Sequence, residues 1–395
     1  MAEMTPRQRM MAAMRRQTPD RVPAAPDISN MIPCKLTGKP FWDIYRYNSP
    51  PLWEAYIEAI KRYGMDGWFI YGELEYKYSY EVIMEQQTVS HTKDRLTERK
   101  IYHTPAGDLT ETVVYPVKDP PTCVEKMVKN LKNDFHALEY ILQTPIGYSD
   151  GVFQKQKSAL GELGVMCVYA GTPGMHSFFG LFEGGLEGAA YAMYDYPDLF
   201  GELIRLQHQK GVAECKFAIE AGADSILTGG SGSITLSSPE LWRKHALPAI
   251  KEITKLCKEA GVISGIHSCG LEMDMVKACA LETDLDYINP LEIPPMGDCT
   301  LKEARKQAGG RLCLMGNLHT TDVMLNGSVR DVRRESLKAL LDAGRDGAFI
   351  LSTGDQCGRD TPEDNIRAMV ETMREFGAYP IDAERIEREL SMYGG

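Results

Sequence analysis

From residue 164 to residue 377 the chain repeats one unit: a short apolar run, a loop rich in Gly, Pro, Ser or Asn, then a longer amphipathic stretch. The runs are 164–170 (GVMCVYA), 225–229 (SILTG), 261–267, 286–289, 311–316 (RLCLMG) and 347–352 (GAFILS). Helices are predicted near 186–194, 197–220, from Pro239, 271–280, 329–343 and 361–377. Gly222 is placed to end the second of these in a left-handed cap, and Thr361-Pro362-Glu363 to start the last. A run that is apolar throughout, and too short for a helix, reads as a strand buried on both faces. Such strands alternating with amphipathic helices make a parallel sheet wrapped in helices. Runs at 21–28 and 67–72 (GWFIYG) bring the strands to eight, which favours a closed (β/α)8 barrel over an open doubly wound sheet.

The stretch before residue 164 breaks the rhythm. Residues 95–117 alternate around Pro105-Ala106-Gly107-Asp108, a β-hairpin signal inside a long connection, with helices expected near 123–131 and 134–142. Residues 4–17 read as an amphipathic helix whose methionines pack rather than touch a cofactor. The expectation is an α/β fold, a distorted TIM-type barrel with a hairpin insertion, forming one domain over 1–395.

Composition removes several classes of function. A net charge of −11 with interleaved signs argues against nucleic acid and anionic membranes as partners. No run of about 18 apolar residues offers a membrane span, and the N-terminus lacks the apolar core of a signal peptide. The 10 cysteines are scattered and mostly in apolar contexts, as expected for small buried hydrophobes in a reducing cytoplasm.

In a barrel of this kind the loops after the strands carry the chemistry. The polar residues there are Asp27, Glu73, the 171–176 loop, Ser231, His267 and Cys269, Asn289 and Glu292, Asn317 and His319, and Asp355 and Cys357. His267 and Cys269 are two apart on an extended segment and so point the same way. Cys357 leaves the last strand across the mouth. One imidazole and two thiolates suit Zn2+, and three protein ligands leave a fourth position open, as in catalytic sites. With two thiolates and a neutral His the centre is near neutral and tolerates an anionic fourth ligand. No CxxC pair exists, so a knuckle-type structural zinc site is not indicated. Glu73 reads as a fourth ligand, a proton acceptor or a solvated loop carboxylate, and Glu292 likewise. Asp355 either orients a ligand or caps a turn. The GGSGS at 229–233 lacks the Lys-Ser/Thr of a P-loop. His176 and His319 read as hydrogen-bonded strand-end histidines.

PDRVP (19–23), EAGADSILTGGSGSITLSSPELWRKHALPAIKEI, GIHSCG, LCLMGN and ILSTGDQCGRDTPEDNIRAMVE resemble, in that order, the uroporphyrinogen decarboxylase superfamily over about 19–377. The resemblance implies a distorted (β/α)8 barrel. Decarboxylases of the superfamily carry an Arg-rich segment for tetrapyrrole carboxylates, whereas 24–38 here (AAPDISNMIPCKLTG) has no arginine. HSCG and the late cysteine are similar to the cobamide-dependent methyltransferase branch. That likeness implies zinc at His267, Cys269 and Cys357, and methyl transfer between a small molecule (a thiol, a folate, or a methoxy or methylamine donor, as in an O-demethylase) and a corrinoid. The Gly354-Asp355-Gln356-Cys357-Gly358 loop departs from the tighter Gly-Cys-Gly of thiol-methylating members. The corrinoid is expected on a separate corrinoid-binding protein, because Asp134-Phe135-His136-Ala137-Leu138-Glu139 lacks the glycine of a lower-ligand motif. The alternatives are a decarboxylase of the same superfamily and a non-enzymatic zinc-binding protein. The sequence leaves the oligomeric state, monomer or homo-oligomer, open.

Overall fold

Pro23 and Pro26 have no N–H to give to a sheet, and this decides how the barrel closes. The computed structural model describes residues 3–393. Its strands are β1 (Gly67–Gly72), β2 (Glu75–Lys77), β3 (Ile83–His91), β4 (Arg95–Thr104), β5 (Gly107–Pro116), β6 (Thr122–Glu125), β7 (Gly147–Ser149), β8 (Gly164–Tyr169), β9 (Ser225–Gly229), β10 (Ile263–His267), β11 (Tyr287–Asn289), β12 (Cys313–Leu318) and β13 (Phe349–Thr353). Seven of them form one curled parallel sheet in the order β1-β8-β9-β10-β11-β12-β13. The eighth expected strand, 21–28, is only a bridge: Ala24 pairs in parallel with Leu351. Ala25 N–H donates to the Leu351 carbonyl at 2.9 Å, and Asp66 N–H donates to the Ala24 carbonyl at 2.9 Å. The proline-flanked segment thus lies between β13 and the start of β1.

Alternation along each strand separates two cores. Trp68, Val165, Cys167, Leu227, Tyr287, Met315 and Ile350 share one cluster, which Met10, Ala13 and Met14 of helix Pro6–Met14 enter. The N-terminal helix is therefore a packing element. Their neighbours Phe69, Met166, Val168, Ile226, Ile288 and Leu351 belong to the cluster shared with the surrounding helices. Buried Arg9 fixes the N-terminal helix by donating to Asp20 at 2.6 Å and to Asp66 at 2.6 Å.

The hairpin insertion is present as β4 and β5, paired from Thr104↔Gly107 to Arg95↔Pro116, inside a larger antiparallel sheet β3-β4-β5-β6. The helix expected at 123–131 is absent. Thr122-Cys123-Val124 instead pairs with β5 as β6, where β-branched side chains are favoured, and the helix starts at Leu131 behind its Asn130 cap. Among the described residues no helix is long and apolar enough to cross a membrane.

Candidate metal centre at the barrel mouth

β10 ends at His267, in register with Gly229 of β9 and Asn289 of β11. Asn289, fully buried, accepts a hydrogen bond through Oδ1 from His267 Nδ1 at 3.0 Å. That bond fixes the proton on Nδ1 and leaves the Nε2 lone pair free, the arrangement metal-bound histidines use. Nε2 lies 3.2 Å from Cys269 Sγ, which also meets Ser231 Oγ at 3.3 Å. Asp355 completes the group: one donor atom each from His267, Cys269 and Asp355 lie within 4.8 Å of one another. Zinc bond lengths near 2.0–2.3 Å put tetrahedral ligand atoms roughly 3.5 Å apart, so these three side chains could close on such an ion with small rotations. Burial first, and the Asp355 charge second, push the Cys269 thiol far above its ordinary range. A bound cation reverses that balance and favours thiolate.

Asp355 owes its place to the loop that leaves β13. Gly354 N–H donates to the Leu318 carbonyl at 2.7 Å and Thr353 Oγ1 to the Asp355 carbonyl at 2.7 Å. Asp355 itself sits at φ 137°, a conformation that side-chained residues rarely adopt and that costs roughly 1–3 kcal/mol. Cys357 is not one of the three converging residues. It is fully buried two positions on, its N–H donating to the Asp27 carbonyl at 2.7 Å. Burial, with Asp27 adding, pushes its thiol up to about 12.

The other strand-end carboxylates divide. Glu292 is buried and accepts from Gly270 N–H at 2.6 Å, so it holds the HSCG turn; burial raises its pKa. Asp27 accepts from Ser29 N–H at 2.9 Å, and burial together with the Asp355 charge raises its pKa. Glu73 is exposed just past β1, its backbone N–H bonded to Gln156, and is not one of the converging group. Glu272 escaped sequence reasoning. It is fully buried and accepts from Leu291 N–H at 2.6 Å, the reciprocal of the Glu292–Gly270 bond. Nothing in Gly-Leu-Glu-Met distinguishes it from a solvated loop acid. Among the described residues none of Asp27, Glu272, Glu292 or Asp355 forms an ion pair. Asp27, Glu272 and Glu292 are held by backbone N–H donors rather than by cations.

The profile of the uroporphyrinogen decarboxylase (URO-D) family matches residues 178–376. The chain belongs to this family. A methylcobamide:CoM methyltransferase, MtbA of Methanosarcina mazei, is 25% identical over 381 residues, covering 95% of this chain and 99% of that protein. A uroporphyrinogen decarboxylase of Chlorobaculum tepidum is 24% identical over 245 residues, covering 59% of this chain and 66% of the relative. The fold agrees with a solved methyltransferase from Methanosarcina mazei at a TM-score of 0.63, with 16% identity over 95% of this chain and 99% of that one. Within the URO-D family this member stands on the cobamide-methyltransferase branch, and it is a methyltransferase.

Proposed function

We propose that this URO-D family member transfers a methyl group between a small molecule and a corrinoid carried by a separate protein, using a zinc ion held by His267, Cys269 and the closing loop 354–358. The observation that carries the reading is the convergence of His267, Cys269 and Asp355, with His267 Nδ1 already committed to Asn289. In the closing loop, Cys357 is the donor the family resemblance implies, and Asp355 is the donor that stands with His267 and Cys269. With either anion the centre is near neutral and accepts a further ligand. Bound there, zinc supplies Lewis acidity to a thiol or to a methyl-bearing oxygen or nitrogen.

The chain's own residues prepare the site. Asn289 fixes the His267 tautomer. Glu292 holds Gly270, and Glu272 holds Leu291, so the loops after β10 and β11 are tied to each other. We assign Glu292, whose Oε1 is not used by Gly270 and whose carboxyl feels the charges of Asp355 and His267, as a proton acceptor. The segment 24–38 offers no arginine to a substrate rich in carboxylates, which supports methyl transfer over porphyrinogen decarboxylation.

Metal analysis tests this directly. Wild-type protein is expected to hold about one zinc per chain. Cys269→Ala is expected to lose both zinc and the methyl transfer read from the corrinoid absorbance. Well-folded wild-type protein that stays zinc-free after zinc is added back refutes the proposal.

A further inference from the structure

His319 follows β12, and the pairing Leu318↔Thr353 puts it beside Gly354, one residue before Asp355. Its Nδ1 accepts from the backbone N–H of Thr321 at 3.2 Å and of Asp322 at 2.9 Å, capping the short helix Thr320–Leu325. An imidazole that accepts at Nδ1 carries its proton at Nε2. That Nε2 is buried and has no partner; the nearest carboxylate oxygen, on exposed Asp322, is 3.9 Å away. A buried unmet donor costs roughly 1–3 kcal/mol, which a ligand acceptor recovers. The ring lines a cavity of about 200 Å3 together with Asn317, Val323, Lys338 and Asp342. A narrower pocket shares Asn317 and His319 and is lined also by Glu292, which holds the turn after Cys269, and by Gly354, the neighbour of Asp355.

The walls set the chemistry. Of the charged groups lining the cavity, Lys338 is paired with Glu335 at 3.0 Å, and its charge, with those of Lys302 and Arg345, also acts on Asp342. An anionic tail finds no unshared cation there, and a cation gains nothing from an N–H donor. We propose that His319 is a substrate-binding residue, whose Nε2–H donates to a neutral acceptor oxygen of the small molecule while its reacting end lies at the His267–Cys269 centre. This rests on the methyl-transfer reading and narrows its substrate class to neutral, oxygen-bearing molecules.

Two substitutions separate the ring's two roles. His319→Asn keeps an oxygen where Nδ1 caps the helix and removes the Nε2–H donor. His319→Gln keeps an amide donor near Nε2 and loses the cap. The full chain, supplied with zinc, is titrated calorimetrically with 2-methoxyphenol and with 2-mercaptoethanesulfonate. For 2-methoxyphenol, His319→Asn is expected to raise Kd roughly 5–30-fold at an unchanged Tm. His319→Gln is expected to hold Kd within about threefold while lowering Tm. Asp322→Asn should match wild type, and the sulfonate should bind more weakly than 2-methoxyphenol. Tighter sulfonate binding, a Kd unchanged in His319→Asn, or no binding of 2-methoxyphenol by wild type overturns the inference. Zinc content of the same samples judges the metal reading separately. A zinc-free protein with His319-dependent binding refutes the metal reading alone, and a zinc-loaded protein without it refutes this inference alone.

Discussion

Replacing Asn289 by leucine removes the acceptor of His267 Nδ1 and keeps the branched shape of the side chain, with two bulkier methyl groups in place of the amide oxygen and nitrogen. The lost bond is 3.0 Å long and partly buried. A bond of this kind contributes about 1 kcal/mol net, and the orphaned Nδ1–H adds a desolvation cost of about 1 kcal/mol or more. With about 1.4 kcal/mol per factor of ten, the sum corresponds to a roughly 10–100-fold weaker metal site, the range seen when partners of metal-bound histidines are removed. Asn289 Nδ2 has no partner among the described residues, so no other bond is broken, but the metal-free fold loses the same bond and its Tm should fall as well. Competition with a chromophoric chelator gives the zinc Kd, and a thermal melt of the metal-free protein gives the stability control. A zinc Kd within about twofold of wild type, at unchanged Tm, would show that Asn289 does not set the His267 tautomer and that the imidazole binds through another geometry.

Three further outcomes are expected. Zinc content of Asp355→Ala and Cys357→Ala assigns the closing-loop donor: the variant of the true ligand drops from about one zinc per chain to little, the other keeps it. Retention in both removes the closing loop from the site. Gly211 lies in helix Pro197–Ala221, where alanine is ordinarily worth about 1 kcal/mol, yet a Cβ there falls 1.8 Å from the Gly171 carbonyl oxygen. Gly211→Ala should therefore lower Tm, by roughly 1–3 kcal/mol of overpacking, and a raised Tm contradicts the packing account. Burial raises the Asp20 pKa, but the Arg9 hydrogen bond, the Met4 and Arg21 backbone N–H donors and the Arg9 charge together more than offset it, and the value falls from 3.8 to about 2. A depressed carboxylate pKa stabilises the fold above its unfolded value, and that stabilisation fades as pH falls toward the folded one. The Tm gap between wild type and Asp20→Asn should hold above about pH 5 and close between about 4 and 2; a gap that persists at the acid end is the refuting result.

Patterns confined to one segment were legible from the residues. The apolar runs of 225–229 and 347–352 have no polar alternation, so both faces had to be covered, and a parallel sheet under helices followed. The two-residue period put His267 and Cys269 on one side of the same strand end. Pro105 to Asp108 announced the hairpin between β4 and β5. The segment 21–28 has the apolar content of a strand, but its prolines, which give no N–H to a sheet, reduce it to a bridge.

Meetings between distant segments belong to the tertiary structure. The β10–β11 register places Asn289 against His267, and the turn at Asp355 brings that carboxylate, ahead of Cys357, to the pair. The opposed Glu272 and Glu292 bonds join two loops whose letters look like ordinary surface. A single sequence carries the period of each element, because local backbone geometry repeats. It does not carry which loop atoms converge, because that depends on strand register and on the closure of the barrel.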